Sequence, residues 1–388
     1  MAGERSRTFR AVRCFLGMPV RRREFLAALA AAAAGCATSS SRSRVTSAAP
    51  AAKPKRILVL GGTGYVGPHI VRAAKARGHT LTLFNRGKTA PGMFPDVETI
   101  IGDRVTGNLD SLRNREWDAV IDTWVMMPKS VHATASILKD HVGQYLFLST
   151  ISVYKLGKDP IDESSPVLTP KTVNATKLEG VEDYGGNKAL AEHEAEELMP
   201  GRATAIRAGV IVGPGDPTDR FIYWPLRFAR GGEVLAPGTP ADRMQFIDVR
   251  DLAGFIIRCL DERIVGTYNT VGPDDPLLPH VLDACKTAAK SDSKITFADA
   301  AFLETEKAGG WDDFPLTVGN NDEQAGFSHV SAQKAIARGL TFRAPVESAR
   351  DALAWFNAQP EERRNKQRPG ISPEREAELL QKWHAAHG

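Results

Sequence analysis

The chain has 388 residues, 42% of them hydrophobic and 25% charged, the composition of a soluble globular protein with room for one large or two modest domains. That balance excludes wholesale disorder, a collagen-like chain and a small disulfide-stapled scaffold. The net charge of +4 is local: residues 1–36 hold seven arginines against two acidic residues, leaving 43 basic and 44 acidic residues in 37–388. The basic excess is therefore no nucleic-acid surface, and no nucleic-acid partner is expected.

Arg22-Arg23-Glu24-Phe25-Leu26 leads into the small apolar run Leu26 to Ala34, a charged region before an apolar one too short to span a bilayer. The pattern resembles the twin-arginine export signal, an address for proteins that cross the membrane folded. It implies the twin-arginine export machinery as a partner and a periplasmic or envelope location. Ala33-Ala34-Gly35-Cys36 resembles a lipobox, so membrane contact is expected only through a lipid on Cys36, with a plain signal-peptidase cut as the alternative. Residues 37–55, rich in Ser, Ala, Thr and Pro, read as a flexible linker. Of the four cysteines, Cys14 falls in the signal, Cys36 is the lipidation candidate, and Cys259 and Cys285 are the pair an oxidising compartment could join. No cysteine or histidine spacing suits a metal, and none is expected.

Arg56 to Leu60 is an apolar run of strand length, closed by Gly61-Gly62-Thr63-Gly64-Tyr65-Val66-Gly67 and followed by a helical pattern from Ile70 to Ala76. Strand, glycine loop and helix together form the setting in which backbone N–H groups approach a pyrophosphate at the positive end of a helix. Pro68 suits the first helical turn. The next strand, Thr80 to Phe84, ends at Asn85-Arg86-Gly87-Lys88. An NAD-selective tip would carry an acidic residue for the ribose 2′-hydroxyl; Arg86 instead suits a 2′-phosphate, which favours NADP over NAD. Asp103, after a third strand at Ile100-Ile101, reads either as an adenine contact or as a cap. Strands at Ala119–Asp122 and Gln144–Thr150 flank a helix from Val131 to Asp140. This alternation predicts an α/β fold, a doubly wound parallel sheet of the Rossmann type with a smaller C-terminal substrate lobe. The dinucleotide-binding domain is placed at 56–213, with 241–272 returning to it, the lobe at 214–240 and 273–345, and a helical tail at 346–388.

Two Tyr-x-x-x-Lys pairs occur, Tyr154 with Lys158 and Tyr184 with Lys188. Tyr184 opens a strong helical run, so it shares a helix face with Lys188; Tyr154 runs from a strand into a Gly/Asp/Pro loop, where the spacing fixes nothing. With Leu148 to Tyr154, Gly209-Val210-Ile211-Val212-Gly213-Pro214, Phe246 to Ala253 and Tyr268 to Gly272 in this order, residues 56–345 resemble the extended NAD-dependent epimerase/dehydratase branch of the short-chain dehydrogenase/reductases. The resemblance implies Tyr184 as general acid/base with its phenol pKa lowered by the Lys188 ammonium and the nicotinamide charge, Thr150 as the group holding the reacting hydroxyl, and Lys188 on the nicotinamide ribose. It implies hydride transfer on a sugar-like, polyhydroxylated small molecule. Two positions depart from the pattern: the strand end Asp122-Thr123-Trp124 lacks the usual Asn, and Met244 stands where sugar-nucleotide epimerases often have Arg.

The double glycine and the Asn85-Arg86-Gly87 tip also resemble an atypical subgroup that includes chloroplast stem-loop RNA-binding proteins. A non-catalytic dinucleotide- or RNA-binding protein on the same scaffold is thus the alternative. Beyond residue 214, Asp219, Arg220, Tyr223 and Trp224 suit a pocket for a polar ring, or equally a capped helix with core aromatics. Ser372-Pro373 starts a C-terminal helix assigned to packing or to homodimer contacts.

Overall fold

The computed structural model describes residues 53–123, 127–173, 180–273, 277–319, 323–366 and 368–387. The export signal over 1–36, with Arg22, Arg23 and Cys36, most of the linker, and Trp124 lie outside the described residues.

Strand β1 (Arg56–Leu60) shows how the sequence builds the sheet. Ile57 and Val59 enter one apolar cluster while Leu58 and Leu60 enter another, and all four are fully buried. Apolar residues at every position are what a strand covered on both faces requires, each such side chain contributing roughly 1.5–3 kcal/mol by burial. After the glycine turn, helix α1 (Gly67–Ala76) starts with Pro68 in its first turn and buries Ile70, Val71 and Ala74, one stripe at helical spacing. There follow β2 (Thr80–Asn85), β3 (Glu98–Ile101), β4 (Trp117–Asp122), α2 (Pro128–Leu138), β5 (Val142–Thr150), α3 (Gly180–Leu198) and β6 (Ala203–Ala208). The chain then makes β7 (Ile211–Val212), α4 (Tyr223–Ala229), β8 (Glu233–Pro237), β9 (Ile247–Asp248) and α5 (Val249–Asp261) before returning as β10 (Gly266–Thr270).

The seven-stranded sheet runs β10-β6-β5-β4-β1-β2-β3, and every neighbouring pair is parallel. Helices α1 and α5 cover one face and α2 and α3 the other. This is the Rossmann-type doubly wound arrangement. Strand order reverses between β1 and β4, and the carboxyl ends of those two strands therefore open a crevice, the usual ligand position in such sheets.

The second lobe has its own core. Strand β8 pairs in parallel with β11 (Lys294–Ala298), packed among α4, α6 (Leu278–Ala288), α7 (Pro345–Asn357) and α8 (Pro373–His387). Ala349, Ala352 and Phe356 of α7 and Leu379 and Leu380 of α8 belong to that core, so the tail helices are part of the lobe. Glu376, 3% exposed, locks α8 in place by accepting from Arg227 Nε at 2.5 Å and from the Leu235 N–H at 3.1 Å. Cys259 and Cys285 are both free and sit in different apolar clusters; the disulfide open to them on sequence grounds is not formed.

Candidate active site

The glycine loop is shaped by close approach. Gly61, at φ +121°, would place a Cβ 2.3 Å from Thr123 Oγ1, and a Cβ on Gly67 would lie 2.5–2.8 Å from the Gly62 backbone. Neither position admits another residue without moving the loop. A Cβ on Gly64, by contrast, would meet nothing within 4 Å, because this glycine faces the cavity. Val66, the N-cap of α1, offers no side-chain acceptor to the helix, which leaves the positive helix end for an anionic group. Asn85 braces the loop from β2, its Oδ1 accepting the Gly87 N–H at 2.8 Å and its Nδ2 donating to the Gly61 carbonyl at 3.4 Å. Arg86 beside it is exposed. The Asp103 carboxylate accepts the Val105 N–H at 2.9 Å, so it caps a turn after β3.

A cavity of about 750 Å³ opens where β1, β4 and β5 end. Gly64 to Gly67, Thr123, Ser149, Thr150, Tyr184, Lys188 and Arg220 line it, with Leu156, Trp311 and Phe327 as its apolar walls. Two buried polar atoms on this wall, the Tyr65 phenol oxygen and the Ser149 hydroxyl, have no hydrogen-bond partner among the described residues. Orphaned groups of this kind, next to an open glycine and an uncapped helix end, fit a polar, phosphate-bearing ligand such as a dinucleotide.

The catalytic candidates meet because two glycines lie side by side within a helix. A Cβ on Gly185 would lie 1.8 Å from the Ser152 carbonyl oxygen, and one on Gly186 2.4 Å from Pro170 N. Gly-Gly inside α3 costs roughly 1 kcal/mol per residue in helix propensity, but it lets α3 touch the end of β5. Thr150 at that strand end lines the same cavity as Tyr184, its hydroxyl accepting the Ser152 N–H at 3.2 Å and donating to Ser152 Oγ at 3.2 Å. One turn later, Lys188 is 2% exposed, donates from Nζ to the Leu148 carbonyl at 2.5 Å and lies 4.1 Å from the Phe147 ring centroid.

Burial pushes the Tyr184 phenol above its ordinary value, while the neighbouring Thr150 hydroxyl and the Arg220 charge pull it back. Burial also pushes Lys188 down to about 7, against the attraction of Asp122 and Glu192.

The other tyrosine is placed differently. Tyr154 is fully buried, its phenol donating to Asn269 Oδ1 at 2.6 Å and accepting from Arg207 Nη1 at 2.9 Å, whereas Lys158 is exposed. Burial lifts that phenol to about 12, and Arg207 only partly offsets it.

Of the four residues proposed for a polar-ring pocket, the cavity takes Arg220 alone. Asp219 turns away in a left-handed conformation, φ +56°, and accepts two bonds from Arg363, at 2.5 and 2.7 Å. Tyr223 and Trp224 are buried in the second core, where Trp224 Nε1 donates to the Pro315 carbonyl at 2.9 Å. The reason is geometric: α4 begins at Tyr223 and turns its aromatic face inward. Met244, at the position where an arginine was looked for, is likewise fully buried in that core.

Ser149, Thr123, Asp216 and Phe327 are cavity residues that sequence reasoning passed over. So is the Asp122 network at the end of β4, where a fully buried carboxylate accepts from Arg104 Nη1 at 2.7 Å and from the Tyr145 phenol at 2.5 Å. An Asp inside the run Ala119-Val120-Ile121-Asp122 was the available signal, since a buried carboxylate needs partners.

Residues 57–123 and 117–270 match the model of the NAD dependent epimerase/dehydratase family. The chain belongs to that family. Bovine epimerase family protein SDR39U1 is 26% identical over 243 residues, 56% of this chain and 74% of the relative. A crystal structure of the human protein of that name with NADPH has a TM-score of 0.52 at 19% identity, covering 77% of this chain and 99% of that one. The Arabidopsis thaliana chloroplast stem-loop binding protein of 41 kDa b is 26% identical over 328 residues, 79% of this chain and 76% of its own. The Bordetella bronchiseptica enzyme WbmH, solved with NAD+, has a TM-score of 0.56 at 17% identity over 78% of this chain and 98% of that chain. The solved structures share the fold, and family and fold together make a nicotinamide dinucleotide the cofactor class.

Proposed function

We propose that the protein is an exported, redox-neutral enzyme of the epimerase/dehydratase type with resident NADP, acting on a sugar-like, polyhydroxylated substrate. The observation that carries this reading is the convergence of Thr150, Tyr184 and Lys188 on the cavity that also holds the glycine loop. A nicotinamide dinucleotide, when bound, supplies hydride acceptance and return. Gly61 to Gly67 and the α1 terminus would hold its pyrophosphate, Asn85 and Arg86 its adenosine ribose, with Arg86 on a 2′-phosphate, and Lys188 its nicotinamide ribose.

The chain's own residues handle the proton. Thr150 Oγ1 fixes the reacting hydroxyl of the substrate, and the Tyr184 oxygen takes its proton or gives it back. A general acid/base of this kind contributes about 10²–10⁴-fold. The raised phenol of Tyr184 means that proton removal needs further positive charge at the site, which Arg220 supplies in part.

Export enters the reading through the paired arginines at 22 and 23. A cofactor site built from strand, loop and helix end captures its ligand only once folded, and little free NADP is available outside the cytoplasm. Chemistry that returns the hydride in every turnover suits that setting. The test is mass spectrometry of protein purified from the cell envelope. The expected result is NADP that survives gel filtration, and an Arg86→Ala variant that loses about 1.5–3 kcal/mol of NADP affinity with little change toward NAD. A cofactor-free envelope form, or equal losses for both dinucleotides, contradicts the resident-NADP reading. The stem-loop binding named for the Arabidopsis relative favours a second reading, RNA binding, and a gel-shift assay with a structured RNA separates the two.

A further inference from the structure

Arg220 enters the cavity without an ion-pair partner among the described residues. Its Nε donates to Thr218 Oγ1 at 3.0 Å, and its guanidinium carbon lies 5.5 Å from the Trp311 ring centroid. Among the described residues no carboxylate ion-pairs with it, and neither of its terminal nitrogens has a hydrogen-bond partner. The bond from Thr218 is itself held from behind, because the Thr218 hydroxyl donates to Asp216 Oδ1 at 2.6 Å and the Thr218 N–H donates to the same oxygen at 2.8 Å. Thr218, backed by Asp216, thus holds Nε and Trp311 lies against the guanidinium, while the terminal N–H donors are left for a ligand in the cavity that Arg220 lines.

A guanidinium edge matches a planar carboxylate bidentately. A single guanidinium within reach of the Asp216 carboxylate suits a monoanion better than a phosphate dianion, which Asp216 would repel. Arg220 lines the same cavity as Thr150 and Tyr184. The carboxylate and the reacting hydroxyl therefore belong to one small molecule. Recognition of a nucleotide diphosphate at residue 244 is absent here, since Met244 is in the core.

We infer that the substrate is a polyhydroxylated carboxylic acid, a uronate-like molecule whose carboxylate is held end-on by Arg220 while its ring lies against Trp311. This assignment rests on the reading of the cavity as a substrate site. It adds the chemical class of the substrate and makes Arg220 the residue that selects it.

The test uses the purified protein with its retained dinucleotide and measures, by calorimetry, the binding of D-glucuronate and D-galacturonate against their methyl esters. Each ester keeps the ring and hydroxyls and loses the charge. The better-bound acid should exceed its ester by about 10- to 100-fold. That ratio should collapse toward one in Arg220→Gln and fall to an intermediate value in Arg220→Lys, which keeps the charge and loses the fork. Equal affinities of acid and ester in the wild-type protein overturn the inference, as does failure of both acids to bind at millimolar concentration or a ratio that survives in Arg220→Gln. Tyr184→Phe separates this claim from the proposed function, since it should retain the full ratio. If the ratio holds while wild-type protein reduces or epimerises no uronate, the enzyme reading fails and the carboxylate site stands.

Discussion

The two Tyr-x-x-x-Lys segments share one spacing and differ in everything else. Around Tyr154 the chain leaves a strand for a loop, so Lys158 ends in solvent while the tyrosine is sealed between Asn269 and Arg207. Around Tyr184 the same five residues are a turn of helix, and tyrosine and lysine reach one cavity. The glycines divide the same way: a Cβ on Gly185 would collide with the Ser152 carbonyl, whereas one on Gly157 would meet nothing within 4 Å. A motif has chemical meaning only where secondary structure converts its spacing into geometry and packing brings a third group, here Thr150, against it.

The contrast is broken most directly by exchanging phenol for phenyl at each site. Tyr184→Phe should lower turnover by about 10²–10⁴-fold with the dinucleotide retained, followed by the near-ultraviolet absorbance of reduced nicotinamide on adding substrate. Tyr154→Phe should leave turnover per folded molecule unchanged and cost about 1–3 kcal/mol in denaturant unfolding, because Arg207 and Asn269 lose a buried partner. Reversal of the two phenotypes would exchange the roles of the segments. Next in size are the glycines: Gly185→Ala should cost about 3 kcal/mol through overpacking against backbone, while Gly157→Ala should stay within about 0.5 kcal/mol of wild type. Equal midpoints for the two variants would remove close approach as the reason for Gly-Gly in α3.

The smallest effect tests the lysine. Its ordinary value is 10.5, and in the fold it falls to about 7, so between these limits the unfolded chain binds the additional proton and stability rises with pH. Lys188→Met in dinucleotide-free protein should abolish that rise and stabilise the fold by about 1–2 kcal/mol at pH 7, while activity is lost. Thermal melts from pH 7 to about 10 read both quantities. A variant less stable than wild type, with the pH slope intact, would mean that Lys188 is held as an ammonium throughout.

How much of this was legible depends on whether the cause was local. β1 declared itself because a strand covered on both faces has no polar position, and the glycine loop because Gly67 answers to the Gly62 backbone within its own turn. The second lobe was not readable in that way. Tyr223 and Trp224 are aromatic whether they line a pocket or fill a core, and only the packing of α7 and α8 decides it. Asp219 meets Arg363 across 144 residues, a distance no spacing rule covers. Asp216, Trp311 and Phe327 come to the cavity from separate stretches of chain without periodicity, and only the assembled fold brings them together.

The order of the sheet sets the order in which the molecule can be completed. Six strands from β1 to β6 follow one another along the chain, but β10 adds its register, Thr267 against Ala205, only after residues 209–265 have made their excursion and come back. Closing so long a loop is entropically expensive before it yields contacts, and non-local pairing of this kind is slow. The edge of β6 therefore stays unpaired until the first half of the second lobe has formed, and for that interval it is a bare strand able to join another chain. Under the proposal that the chain crosses a membrane already folded, β10 would be the last seam to close before it leaves.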